Sequence, residues 1–567
     1  MAYQQRRNAC IPDTGASSPE VPLVRSASGT MAGRALELVL AGCVVLFLAV
    51  TSFATLVCTS TYPDYSGAYS LSFTTAPIAI ISMVLIVGFI WILCKMGLLD
   101  RIDERRFALL LAGYTLLAGV AWAVLADVWP DWDSGALFDA GRTFGEQGVH
   151  YYEPGRYVER FPYQMTYVMV IHAMSLITSH YYAAMEVLNA LFTAWLAYLI
   201  AAIAREVFQN RRITNICIVL QFLYLPPIFY TTFAYPNMIS LAFAAFAMLC
   251  QVKLIRAYEG HRSGGQKLCP KRATYAVGFC LGCAFSYLFK SSMLLALVAM
   301  GVVWVVYAVR WLKVTPLIVV LAMAGACALS VMAVNGYVEY KTGISTSRSM
   351  PSSAYISMGL DLETTGWYNG FLWSLDNGDE TTYDPEAYDA AALAEIRGSI
   401  ETLLADSAFA AAFFAEKYCS EWCDPTSESL LASNWSHASP GVDVMSERPL
   451  IPLVRAVYYG PLHEAIVALL DGMQTLIMGG SLVAVVAGIR ARRRTNAQGW
   501  PLQIGDMAPL LYAAGLGLFY LVWEAKAQYT LPAYIVLIPF AAAAVSYLIQ
   551  AVDHLRRPRS ESIEEVE

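Results

Sequence analysis

Asp131 and Asp133 flank Trp132 just beyond the third long apolar segment of the chain, and the stretch YVERFPYQMTYV follows at residues 157–168. Two carboxylates at the mouth of a membrane helix are expensive to hold there, which points to chemistry at the bilayer surface. Lys290 interrupts an otherwise apolar run, where a charge is costly unless used or paired, although a lysine at a helix end also snorkels to the interface. Glu524 and Lys526 lie two residues apart beside Trp523, either as a local ion pair or as part of a binding surface.

The elements that must position these residues are membrane helices. In 567 residues, 57% are hydrophobic and 14% charged, with a mean hydropathy of +0.50; soluble domains carry roughly 25% charged residues. The first 34 residues are polar and hold Arg6, Arg7, Arg25 and Arg34. The apolar run after them is too long for a signal-peptide core, so a retained first span is expected. Residues 335–450 carry 18 acidic and 5 basic side chains, so the net charge of −7 conceals one strongly acidic loop in a mildly basic remainder. Of the twelve cysteines most stand singly in apolar segments, where a thiol behaves as a small hydrophobe. Cys419 and Cys423, at i and i+4, fit either one helical face or a disulfide, and the sequence around them offers no histidine to complete a zinc site.

Apolar runs of about 20 residues occur near 35–59, 76–95, 107–127, 183–204, 213–232, 237–256, 274–289, 291–309, 315–334, 470–489, 507–523 and 531–552. The expected fold is therefore an all-α polytopic membrane protein of about twelve helices. Lys and Arg collect in alternate turns, at Lys95 to Arg106, Arg205 to Arg212, Arg256 to Arg272, Arg310 to Lys313, Arg490 to Arg494 and Arg556 to Arg559. The positive-inside rule puts these turns, the tail 1–34 and the tail 553–567 in the cytoplasm. The alternation closes only if residues 163–178 do not cross, and that stretch, short and interrupted by His172, reads as a helix lying in the outer interface. One outer side then holds the loop 128–182 within the membrane domain 35–334, the turn Tyr235-Pro236-Asn237, and an acidic loop domain 335–469 ahead of the C-terminal helices 470–552. Within that domain AAYDAAALAEIRGSIETLLADSAFAAAFFAEKY is patterned as helix and LDNGDE as turn.

Five stretches resemble, in order, the membrane glycosyltransferases of the GT-C fold, in particular bacterial relatives of the protein O-mannosyltransferases and aminoarabinose transferases. They are DWDSGALFDAG with YVERFPYQMTYV, FAYPNMISLAFA, YLFKSSMLLALVA, MPSSAYISMGL with GWYNG, and LVWEAKAQYTLPAYIVLIP, together spanning residues 131 to 539. The resemblance implies transfer of a sugar from a polyprenyl-phosphate donor to an acceptor at the extracytoplasmic face (envelope polymer, glycolipid or protein), with inversion. It implies Asp133 as general base with Asp131 as its neighbour, although Asp before a helix also commonly caps it. Lys290, then Arg160 within the aromatic-Pro motif, and Arg142 are the candidates for the donor phosphate. Tyr157, Tyr163, Gln164, Tyr235, Asn237, Glu524, Lys526, Gln528 and Tyr529 are candidates for substrate binding.

Gln528 and Asn237 depart from the family pattern, where relatives often carry Arg and Asp. Phe161, Trp367, Tyr368 and Trp422 suit stacking on a sugar or prenyl chain, but aromatics also populate membrane interfaces, and the belt reading is preferred for each. His150 and His172 lack partners at ligand spacing, and the family works without a metal, so no metal or cofactor is expected. No nucleic-acid partner is expected either. Asn434-Trp435-Ser436 is a glycosylation pattern with a high false-positive rate. Two other classes compete: a transporter or flippase of lipid-linked intermediates, and a non-catalytic scaffold for envelope-polymer assembly.

Overall fold

A computed structural model describes residues 30–556 other than 63–68, 131, 147–149, 261–270, 369, 371–374, 376–381, 434–444, 446–447 and 494–500. Asp131, the Asn434 sequon, most of LDNGDE and several of the basic residues at the tails fall outside the described residues.

Each expected span is helical. The long helices are α1 (Met31–Val57), α2 (Ala76–Lys95) and α3 (Glu104–Ala126). After two shorter helices, α4 (Trp132–Arg142) and α5 (Met165–Ile177), come α6 (Tyr181–Phe208), α7 (Arg211–Leu223) and α8 (Asn237–Gly260). Next are α9 (Lys271–Phe289), α10 (Leu294–Trp311) and α11 (Thr315–Thr342). Then follow α12 (Ser352–Gly359), α13 (Pro385–Ala405) and α14 (Ser407–Trp422), and last α15 (Pro461–Arg493), α16 (Ala508–Phe519) and α17 (Leu531–Arg556). Among the described residues nine helices are long and apolar enough to cross a membrane, and the chain is an all-α polytopic membrane protein.

Of the three remaining expected spans, α9 is an unbroken helix of 19 residues, and the other two depart from full-length rods for local reasons. Pro226 and Pro227 break the helix after α7, and the following turn to Thr232 is bent by 50°. Carbonyls freed by that bend are satisfied by a buried amide: Asn189 Nδ2 donates to the carbonyls of Tyr230 at 2.9 Å and Phe233 at 3.1 Å. Irregular backbone at membrane depth persists where protein satisfies it in this way. Helix α16 has 12 residues, about 18 Å at 1.5 Å per residue, against a hydrocarbon core of about 30 Å. Helix α5, at 13 residues, likewise falls short of a crossing, as expected for 163–178.

The basic ends of the helices meet. Lys95 pairs with Asp553 at 2.7 Å, Arg212 with Asp100 at 2.6 Å, Arg211 with Glu104 at 3.2 Å, and Arg256 with Glu206 at 3.6 Å. Glu37 of α1 is buried and joins Arg310 of α10 to Arg492 of α15. The acidic motif, Lys290 and Glu524 all lie at the other ends of these helices.

The loop between α11 and α15 is shorter than expected, because α11 continues to Thr342 and α15 begins at Pro461. The Ala-rich pattern at 385–422 is two helices bent by 118°, since Asp406 between them caps α14 by accepting from the backbone N–H groups of Ala408 (2.9 Å) and Phe409 (3.0 Å). The end of α14 is buried within the membrane domain: Trp422 is fully buried, edge-on to Phe47 at 5.1 Å, and its carbonyl accepts from Tyr534. Trp422 therefore belongs neither to an interface belt nor to a sugar platform. A two-stranded hairpin, Thr59–Thr61 with Ser70–Ser72, follows α1 and packs beside this segment, the Tyr62 hydroxyl donating to the Ser420 carbonyl at 2.9 Å.

Candidate active site

Asp127 ends α3 in the left-handed conformation (φ 47°), which Asp tolerates better than most residues, and the chain turns directly into α4. Asp133 lies in the first turn of α4, inside the helix and not at its cap. A carboxylate there is favoured by the unpaired N–H groups of the helix start. The Tyr157 hydroxyl lies close enough to favour the charged form of Asp133. The side chain opens to solvent on one side, yet protein crowds the rest. Burial and the nearby Glu524 raise its pKa above the usual carboxylate range, against the pull of Lys526, Tyr157 and Lys290.

Lys290 sits where the chain leaves helix: its backbone is extended (φ −151°) between α9 and the turn that starts α10. Its ammonium donates to the Asn237 side-chain oxygen and lies 5.3 Å from the Tyr235 ring and 5.7 Å from the Tyr529 ring. Desolvation and the like charge of Lys526 pull its pKa down to about 7, although Asp133 and Glu524 oppose the shift. Asn237 thus serves as the neutral acceptor for this lysine. Gln164 donates to the Tyr235 hydroxyl and so fixes the ring beneath it.

The turn between α16 and α17 supplies the third part. Glu524 is buried, accepts from the Tyr529 hydroxyl at 3.0 Å and pairs with Lys526 at 3.2 Å. Burial works against the charge of Lys526, but Glu524, Asp133 and Glu428 outweigh it and raise its pKa. Tyr163 shares a 2.9 Å hydrogen bond with Tyr355, whose ring stacks on Trp523 at 5.0 Å. Beside Lys290 a small recess, open at its mouth, is lined by Asn237, Ser292 and Gln528 on its polar side and by Met293, Leu516 and Pro532 among its apolar residues.

Asp133, Tyr157, Tyr163, Gln164, Tyr235, Asn237, Lys290, Glu524, Lys526, Gln528 and Tyr529 are thereby brought together. Two of the expected phosphate ligands are not. Arg160 is fully buried, its guanidinium donating to the Gly155 carbonyl and lying 4.5 Å from the Tyr383 ring and 5.7 Å from that of Tyr388. It clamps the first loop to α13 instead of facing the recess. Arg142 lies at the far end of α4, largely exposed and 3.9 Å from Asp139. Tyr368 is exposed, and Trp367 stacks on Tyr62 at 4.9 Å, committed to the hairpin.

Sequence reasoning missed the residues that the acidic loop contributes. Tyr355 lay within the motif MPSSAYISMGL but was not singled out. Glu428 carries no sequence signal, yet it is fully buried, its carboxylate accepts from the Ala527 backbone N–H at 2.5 Å, and burial pushes its pKa up to about 8 against the attraction of Lys526. Ser427 and Glu428 both adopt left-handed backbone (φ 49° and 57°), a strained pair of the kind that surrounding packing must enforce. Lys417, also fully buried, donates to the carbonyls of Gly359 and, at 2.7 Å, of Trp523. Ala525 donates to the Gly366 carbonyl at 2.7 Å. The acidic loop is thus sewn to the turn that carries Glu524 and Lys526.

No protein-family model matches the chain, and no curated protein matches it. Among solved structures the chain is similar to an oligosaccharyltransferase of Archaeoglobus fulgidus in its apo form, with 14% identity and a TM-score of 0.36. The match covers 78% of this chain and spans about half, 51%, of that one.

Proposed function

We propose that the chain is an inverting membrane glycosyltransferase of the GT-C type that moves a sugar from a polyprenyl-phosphate donor to an acceptor hydroxyl at the extracytoplasmic face. The observation that carries this reading is a crowded carboxylate, Asp133, within electrostatic reach of a cation, Lys290, which itself lines a recess with one polar side and an apolar side of Met238, Met293, Leu516, Leu531 and Pro532. A phosphate head on a prenyl tail needs that combination of one fixed cation and an apolar bed. In the step proposed, the acceptor oxygen attacks the anomeric carbon as Asp133 takes its proton. The bond from that carbon to the phosphate oxygen breaks, and the prenyl phosphate leaves with the electron pair, held by Lys290. Tyr157 orients the carboxylate, and Tyr163, Tyr355 and Trp523 offer a surface for the sugar or acceptor.

A carboxylate whose pKa is raised is the stronger base near neutral pH, provided it remains ionised. The test is transfer of labelled sugar from synthetic polyprenyl-phosphate donors to a membrane extract, comparing the unaltered chain with Asp133→Asn at matched expression. Loss of a general base is expected to slow transfer by about 10²–10⁴-fold with thermal unfolding unchanged. Equal rates in the two proteins, or no transfer from any donor, would remove the catalytic assignment in favour of a transporter or scaffold.

A further inference from the structure

Cys58, Cys419 and Cys423 come from different parts of the sequence, yet their three sulfur atoms all lie within 4.8 Å of one another. Cys58 ends α1; Cys419 and Cys423 lie one turn apart at the end of α14, and the hairpin locks the two elements together, the Ser60 N–H donating to the Cys423 carbonyl at 2.8 Å. Cys58 and Cys423 are fully buried and Cys419 half-buried. The sequence reading stopped at two thiols without a further ligand. The fold supplies the third.

Three thiolates around one metal at a metal–sulfur distance of about 2.3 Å are separated by about 4 Å. The thiols therefore need to close by less than about 1 Å to share an ion. A disulfide joins only two of them and leaves the third sulfur stranded among apolar neighbours, Ala54, Val57 and Leu71. Thiolates select soft ions, and a set of three with no nitrogen ligand suits the d10 cations, Cu⁺ in three-coordination or Zn²⁺ with a water completing four.

We propose that Cys58, Cys419 and Cys423 form a binding site for one thiophilic d10 metal ion. Binding exchanges three thiol protons for the metal, with no change of oxidation state. The ion would staple the end of α14 to the end of α1 and so fix the segment that continues through Asp424 to Glu428. Asp424 already shapes that segment by accepting from the N–H groups of Thr426 (2.9 Å) and Glu428 (2.7 Å). Glu428 in turn holds the backbone beside Lys526. The site is independent of whether the chain transfers sugar.

The test is titration of the full chain, reduced and purified without oxygen, with Cu⁺ and separately with Zn²⁺ against a competing chromophoric chelator. One equivalent of one of these ions per chain is expected to resist the chelator, and to raise the melting temperature. Both effects are expected to vanish in Cys419→Ser, whose half-buried position tolerates the change, and in the triple Cys58→Ser, Cys419→Ser, Cys423→Ser variant, which also reports uptake by the nine other cysteines. Uptake by the unaltered chain no greater than by the triple variant would overturn the proposal. So would mass spectrometry of the chain isolated from its membrane showing two of the three sulfurs joined as a disulfide.

Discussion

If Lys290 holds the departing phosphate, transfer must decline in alkali as that lysine loses its proton. Its pKa is pulled down to about 7 by desolvation and by Lys526. A sugar phosphodiester does not titrate in this range, so an alkaline limb in kcat/KM reports the free protein. One pH unit above the pKa about one lysine in eleven stays protonated, so kcat/KM at pH 8 should stand about ten-fold below its plateau. The acid side has the opposite sign: the base must be ionised, Asp133 titrates above the usual carboxylate value of about 3.9, and activity is lost as pH falls through its raised pKa. In Lys290→Arg the alkaline limb should disappear, because a guanidinium stays charged throughout. Lys290→Met should lose about 10²–10³-fold at every pH, the usual consequence of removing one donor to a developing anion. The assay is initial-rate transfer from a synthetic donor in detergent between pH 5 and 9. An unchanged alkaline limb in Lys290→Arg, or full activity in Lys290→Met, would refute the assignment.

Two further substitutions probe how the site is held. A Cβ on Gly359 would overlap the Trp523 carbonyl carbon, so Gly359→Ala should part the acidic loop from the turn at 523–526, abolish transfer and open the segment 417–433 to protease; retention of both activity and resistance would show the approach to be loose. Glu37→Gln leaves Arg310 and Arg492 without their carboxylate, at a cost of about 2–3 kcal/mol, discounted from the fully buried case because Arg492 is a third exposed; an unchanged unfolding midpoint in detergent would dismiss the latch.

Asp133, Lys290 and Glu524 were legible because a charge at the end of an apolar run stands out in one dimension. The helices were legible for the same reason, composition over 20 residues being enough. Arg160 was misassigned because its partners Tyr383 and Tyr388 lie on another loop, the latter 228 residues away. Segment 417–433 falls within the expected acidic loop domain 335–469, and nothing in the residue types of Lys417, Glu421, Asp424 and Glu428 marks them as buried. Their burial is a tertiary fact: Trp422 fills the space between α1 and α17, and Tyr230 donates to the Ser427 carbonyl at 2.9 Å. The same applies to Cys58, whose relation to Cys419 no spacing rule encodes.

The two lysines of the site divide its chemistry. Lys526 is matched by the Glu524 carboxylate at 3.2 Å, with Glu428 behind it, so its charge is already spoken for before any substrate arrives. Lys290 has at its ammonium the neutral oxygen of Asn237 and the faces of Tyr235 and Tyr529, with Asp133 and Glu524 acting on it from farther away, and it forms no ion pair among the described residues. Desolvating it therefore carries a penalty that an arriving anion removes. An anion seated at Lys290 would also raise the lysine's pKa back toward its ordinary value, so the lysine would bind most firmly when the phosphate is most negative, as it is in the departing group. An aspartate in place of Asn237 would neutralise Lys290 in advance. Asn237 thus leaves Lys290 without an anionic neighbour at the end of its side chain, and if Lys290 holds the phosphate, Asn237→Asp should weaken binding of a prenyl phosphate while leaving the fold intact.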